Sequence, residues 1–174
     1  MEDYKYCYRY PHPAVTTDCV VFGIDSDDVK ILLIRRAGQP YKGFWALPGG
    51  FLNPNESADE GALRELMEET GFNPGAIEQF HTFSEPGRDP RERVISIAYL
   101  AITRIGEVKG GDDAKEACWF SIRNIPPLAF DHELVLKKAM YRVGELISLN
   151  NIGFKNSIES LSPENLSLLS EFIR

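Results

Sequence analysis

Between Gly50 and Phe72 the chain reads GFLNPNESADEGALRELMEETGF, with six carboxylates (Glu56, Asp59, Glu60, Glu65, Glu68 and Glu69) against one cation, Arg64. Like charges this close repel one another and weaken a helix. A solvated acidic face ordinarily interleaves Lys or Arg one turn on, and this segment has no lysine. Divalent cations relieve such repulsion, because hard ions such as Mg²⁺ take carboxylate oxygens and keep some of their waters. Arg64 is placed to orient one of the carboxylates through a charge-assisted hydrogen bond.

Local signals define the element that carries these groups. Ser57 with Glu60 three residues on makes a capping box, and Gly71 suits the position just past a helix end. The expected helix is Ala58–Thr70. At about 100° per residue, Glu69 falls about 40° to one side of Glu65 and Glu68 about 60° to the other. Leu63, Leu66, Met67 and Thr70 fall on the far side, which is therefore expected to face a core. Gly49 and Gly50, just upstream, let backbone come close to a ligand.

The segment resembles the signature box of the Nudix hydrolases, G-x5-E-x7-R-E-U-x-E-E-x-G-U, with U a bulky aliphatic residue. Gly50, Glu56, Arg64, Glu65, Leu66, Glu68, Glu69 and Gly71 stand at the matching positions. Phe72 is the one departure, and it touches packing rather than chemistry. The resemblance implies an α/β fold, an α/β/α sandwich on a mixed sheet, and hydrolysis of a nucleoside diphosphate linked to another moiety. It implies that Glu65, Glu68 and Glu69 bind Mg²⁺ or Mn²⁺, that the Gly49 carbonyl adds a ligand, and that Glu56 and Arg64 support the site. The metals would polarise phosphoryl oxygens, make hydroxide accessible near neutral pH and stabilise the leaving oxygen. The general base varies within the family. Here it would be Glu65, Glu68 or an acid of GGDDAKEA, where Asp112, Asp113 and Glu116 offer themselves and Glu116 is favoured as base or extra ligand.

Substrate recognition falls to other loops. PGRDPRERV carries arginines whose forks suit phosphate, stiffened by prolines. Alternatively it is a surface salt-bridge turn. This stretch, PYKGFWALPGGF and PPLAFDHELVL resemble the Nudix subgroup that handles ADP-ribose. By that resemblance Arg88 and Arg91 are candidates for the diphosphate or terminal ribose, with Arg36, Lys42 and Phe51 at the rim. Trp45 is expected to pack beneath the box, and His132, at the start of a helix, to be structural. The implied reaction is ADP-ribose to AMP and ribose 5-phosphate. Nucleoside triphosphates or sugar nucleotides are alternative substrates. A ligand-sensing regulator, like the Nudix-related transcription factors, is the alternative of another class.

Around these loops, AVTTDCVVFGI (Ala14–Ile24) and VKILLIRR (Val29–Arg36) read as a hairpin. Phe44–Gly50 reads as a short strand ending in a Gly-Gly turn. AIEQFHTFS, RVISIAYLAITRI and ACWFS read as strands, and Ala129–Ile147 as a helix. In the tail a short helix is expected, with Ser162 as N-cap and Pro163 first. This divides the chain into an N-terminal extended segment (1–13), a Nudix hydrolase domain (14–148) and a C-terminal helical tail (149–174). Tyr4, Tyr6, Tyr8 and Tyr10 alternate at period two, as on one face of a strand.

The 174 residues suit one domain with a real core. A net charge of −7, with no basic stripe, weighs against nucleic acid as the main partner. It leaves room for a small-molecule nucleotide substrate, since a metal ion reverses local charge. Cys7, Cys19 and Cys118 fit neither a metal spacing nor an even disulfide set. No signal peptide or apolar run long enough to span a bilayer is seen. The expected setting is the reducing cytosol without a membrane partner, and the family resemblance together with the tyrosines makes a homodimer plausible.

Overall fold

The computed structural model describes residues 8–26, 28–111, 114–148 and 163–172. In chain order the strands and first helix are β1 (Ala14–Ile24), β2 (Val29–Arg36), β3 (Trp45–Ala46), β4 (Gly49–Phe51) and α1 (Ala58–Thr70). There follow β5 (Glu78–Phe83), β6 (Val94–Arg104), β7 (Ala114–Ser121), α2 (His132–Ser148) and α3 (Pro163–Phe172).

Alternation along the strands sets the layers, because successive side chains of a strand point to opposite faces. On β1, Val20, Phe22 and Ile24 join one apolar cluster while Cys19 and Val21 join another. On β2, Val29, Ile31 and Leu33 face one way, Leu32 and Ile34 the other. Ala62 and Leu66 of α1 cover the second face. Val135, Ala139 and Val143 of α2, with Leu169 of α3, cover the first. Burial on both faces explains why these strands are apolar almost throughout. The outcome is the α/β/α sandwich on a mixed sheet that the sequence implied. β1 runs parallel to β6 and antiparallel to β2 and β4.

One feature of the sheet positions the site. β1 and β2 pair only at one end, Phe22–Ile24 against Val29–Ile31. Beyond that they splay. The far end of β2 pairs with β3, and the near end of β1 pairs with β4. The stretch from Trp45 to Phe51 bridges the gap, with the Pro48 carbonyl accepting the Cys19 amide at 2.8 Å.

Three expectations are corrected. Phe44–Gly50 is not a single strand ending in a turn: the crossing from β2 to β1 breaks it in two, and Gly49–Gly50 lies within β4. The second helix starts at His132 rather than Ala129, because the Ala129 amide bonds to the Trp45 carbonyl and Phe130 takes φ 53°. Trp45 packs against Phe120 on the α2 side of the sheet, not beneath α1.

Leu169 is 2% exposed, so α3 shares the α2 layer. Ser162 and residues 149–161 lie outside the described residues, as do Tyr4, Tyr6 and Cys7. Tyr8 and Tyr10 are exposed and belong to no strand. Among the described residues no helix is long and apolar enough to cross a membrane.

Candidate active site

Helix α1 forms one wall of a cavity of about 420 Å³. Its start is fixed by the reciprocal Ser57–Glu60 capping box and its end by Gly71 in the left-handed region, φ 64°. The buried strip is Ala62, Leu66, Glu69 and Thr70, whereas Leu63 and Met67 are exposed, against expectation. The helix turns this way because Glu69 takes part in the packing: its Oε2 accepts the Gly49 amide at 2.8 Å.

Arg64 is the hub of this wall. Nε and Nη2 grip the two oxygens of Glu56 at 2.9 and 2.6 Å. Nη1 donates to Glu65 at 2.7 Å and to Glu68 at 2.9 Å, and Nη2 reaches the Phe51 carbonyl at 3.1 Å. The guanidinium holds Glu56 far down, at about 2. Burial raises Glu65 despite its bond to Arg64. Burial pushes Glu69 up to about 8, the Gly49 amide opposes this, and the charges of Glu65 and Asp18 add to it.

Glu65, Glu68, Glu69 and Gly49 all line the cavity. They do not close on a common point. Among the described residues no three His, Cys, Asp or Glu groups are gathered tightly enough to hold a metal ion, since Arg64 engages two of the glutamates and Gly49 the third. The donor set nonetheless fits Mg²⁺ or Mn²⁺ in kind: hard oxygens, one of them a buried carboxylate whose charge is poorly compensated. The backbone is also cut close to them. A Cβ on Gly50 would stand 2.5 Å from the Glu65 carboxylate, and one on Gly49 would collide with the Thr17 carbonyl.

The other walls come from scattered positions. Arg88, in the loop between β5 and β6, is bidentate to Asp131 (3.0 and 2.7 Å) and reaches Asp18 at 3.4 Å. Its side chain is only 6% exposed, so this candidate for the diphosphate or terminal ribose lines the cavity as a buried ion-pair partner. Arg91 is bound by Asp89 at 2.7 Å, and its guanidinium lies over the rings of Phe51 and Phe130 at 5.1 and 5.7 Å. Arg36 lies over Phe130 from elsewhere at 4.8 Å. These cation–π contacts make an aromatic, positively charged rim.

Of the residues singled out in the sequence, Arg36, Phe51, Arg88 and Arg91 join the glutamates on the lining. Glu56 stands behind Arg64. Lys42 and Glu116 are not on the lining: Glu116 pairs with Arg35 at 3.2 Å, both about half exposed. Asp112 and Asp113 lie outside the described residues. Sequence reading missed Asp18, Asp89 and Phe130. A charged residue inside the apolar run of β1 was the available signal for Asp18. His132 is structural, as expected, but it also lines the cavity.

An α/β/α sandwich with this glutamate helix set against a Gly-Gly strand defines a Nudix hydrolase. The NUDIX domain model matches residues 12–142, and the chain belongs to that family. It is 48% identical over 138 residues to the ADP-ribose pyrophosphatase of Methanocaldococcus jannaschii, covering 79% of each chain. The NUDIX domain of Shewanella oneidensis NrtR, solved with ADP ribose, matches with a TM-score of 0.75 and 30% identity, over 80% of this chain and 94% of that one. A bifunctional NMN adenylyltransferase/ADP ribose pyrophosphatase from Francisella tularensis, solved with AMP and a Mn ion, matches at 0.63 and 31% identity, over 74% and 41%.

Proposed function

We propose that this Nudix hydrolase splits ADP-ribose into AMP and ribose 5-phosphate, with Mg²⁺ or Mn²⁺ held by Glu65, Glu68, Glu69 and the Gly49 carbonyl. The observation that carries the reading is the polarity of the cavity: a wall of carboxylates together with a rim of guanidiniums on phenyl rings. A nucleoside diphosphate linked to a sugar needs both, a cation on the acid side and planar donors for its remaining oxygens. Among such compounds, the 48% identical relative favours ADP-ribose.

Water adds to one phosphorus, the P–O bond to the bridging oxygen breaks, and that oxygen leaves with the other phosphate. The cation supplies Lewis-acid polarisation of the phosphoryl oxygens. Glu65 or Glu68 takes the proton of the attacking water. Arg64 keeps both within reach, and Glu56 keeps Arg64 in place. Arg91, braced by Asp89, binds the anionic substrate beside the Phe51 ring. The reducing cytosol, compatible with the free thiols of Cys19 and Cys118, and a homodimer belong to the same proposal.

The test is a panel of ADP-ribose, nucleoside triphosphates and sugar nucleotides, with and without Mg²⁺ or Mn²⁺, scored for AMP, phosphate and pyrophosphate. Cation-dependent AMP from ADP-ribose is expected. Pyrophosphate from triphosphates as the main product would reassign the substrate. Tight ADP-ribose binding without turnover would favour the sensing role, to which the likeness to the NrtR domain speaks.

A further inference from the structure

A buried polar chain runs from the β5–β6 loop to the Gly-Gly strand, and the hydrolytic reading gives it no task. Arg88 ties Asp131 to Asp18. Asp18 also accepts the Ser96 hydroxyl, and its other oxygen lies 3.5 Å from His132 Nε2. His132 Nδ1 accepts the Leu47 amide at 2.9 Å. A ring nitrogen that accepts an N–H carries no proton, so the neutral ring is the Nε2–H tautomer and its proton faces Asp18. Burial favours that neutral ring.

Leu47 sits where the chain crosses from β2 to β1. Pro48 has no N–H to give, so the Leu47 amide is the donor that anchors this crossing ahead of Gly49. The Gly49 amide then meets Glu69. Tolerance here is small, because a Cβ on Gly49 would collide with the Thr17 carbonyl.

We propose that His132 is a positioning residue: an acceptor held in register by Asp18, it pins Leu47 and thereby sets the Gly49–Gly50 strand against Glu69 and Glu65. The kinetic part of this inference rests on the hydrolytic role proposed above, while the structural part does not. The ring works through the backbone, with its two nitrogens turned to the Leu47 amide and to Asp18.

The geometry is tested first without catalysis. Imidazole ¹⁵N spectra of the metal-free chain at pH 7 are expected to show His132 with a bare Nδ1 and a protonated Nε2. The opposite tautomer overturns the proposal. Two variants then separate the halves of the ring. His132→Asn keeps an acceptor where Nδ1 stood, and His132→Gln keeps only the Nε2 end. In His132→Gln, Leu47, Gly49 and Gly50 are expected to exchange their amide protons faster, and kcat with Mn²⁺ to fall by about 10- to 100-fold. His132→Asn is expected to recover most of both. Equal losses in the two variants, with exchange in the strand unchanged, would mean that ring volume alone matters and would overturn the proposal. If the wild-type chain turns over no compound of the panel, the hydrolytic reading falls, and the tautomer and exchange results still decide the role of His132.

Discussion

Two groups of charged residues meet at the cavity, and they are built in opposite ways. The α1 cluster draws Glu56, Arg64, Glu65 and Glu68 from one short stretch, and its side chains keep some access to water, from 13% for Glu56 and 16% for Glu65 to 26% for Arg64 and 42% for Glu68. The second group draws Asp18, Arg88, Asp131 and His132 from β1, a loop and the start of α2. Three of its members are more enclosed, with Arg88 and His132 at 6% and Asp18 at 9%, while Asp131 at 21% is as open as the first group. Solvent near the first group screens its charges and would let them change partners on binding the proposed cation and diphosphate. Arg88, Asp18 and His132 of the second group have little water to fall back on, so each depends on its partners. One is an adjustable wall, and the other is a fixed frame.

The difference is broken most directly by Arg88→Leu. It leaves Asp18 and Asp131 without their cation, and removing one partner of a buried pair costs about 3–5 kcal/mol. Urea unfolding is expected to show a loss of that size. A loss near zero would mean that the frame is as adjustable as the wall.

Next in size is Glu69→Gln, which removes one anionic oxygen from the proposed cation site. A drop in kcat of about 10²–10³-fold is expected, with the fold retained. Retention follows from burial: the carboxylate is the form that burial disfavours, and a neutral amide of similar shape escapes that cost. Near-normal turnover in steady-state assays would show that Glu69 holds no metal.

The same contrast explains what the sequence made visible. The bounds of α1 and the sharing of one helix side by Glu65, Glu68 and Glu69 were readable because caps and helical period are local properties, carried by consecutive residues such as Ser57, Glu60 and Gly71. The frame was not readable, since nothing near Arg88 announces that its partners are Asp18 and Asp131. Arg88 was accordingly legible as a phosphate candidate or as part of a surface salt-bridge turn, and not as the hub of a buried pair. Leu63 and Met67 show a subtler failure. Hydrophobicity placed them inward, yet the helix buries Glu69 instead, because a backbone amide at a neighbouring strand offers that carboxylate a bond no side chain pattern reveals. The break between β3 and β4 escaped notice for a similar reason: it follows from β1 and β2 splaying apart.

Gly50→Ala sharpens the idea that the α1 wall is adjustable. The added Cβ would stand 2.5 Å from the Glu65 carboxylate, which is the far end of a flexible side chain. The carboxylate can swing aside at little cost to the fold, but it then leaves its working position. Misplacement of a reacting group on the ångström scale costs up to about a hundredfold. The expected result is a fall in kcat/KM with the melting temperature nearly unchanged. If the melting temperature falls steeply as well, Glu65 is as rigidly held as the frame.

Glu116→Gln carries the smallest expected effect and marks where the wall ends. The Arg35–Glu116 pair joins β2 to β7 with both side chains about half exposed, and such pairs contribute about 0–1 kcal/mol. Stability is expected to stay within that range in urea titration. Turnover is expected to hold as well, since Glu116 faces Arg35 and not the cavity. The general base is then left among the glutamates of α1. A large loss of kcat with normal substrate affinity would have a different meaning. It would require the β7 start to move toward the diphosphate when ligand binds, and the adjustable wall would extend beyond one helix.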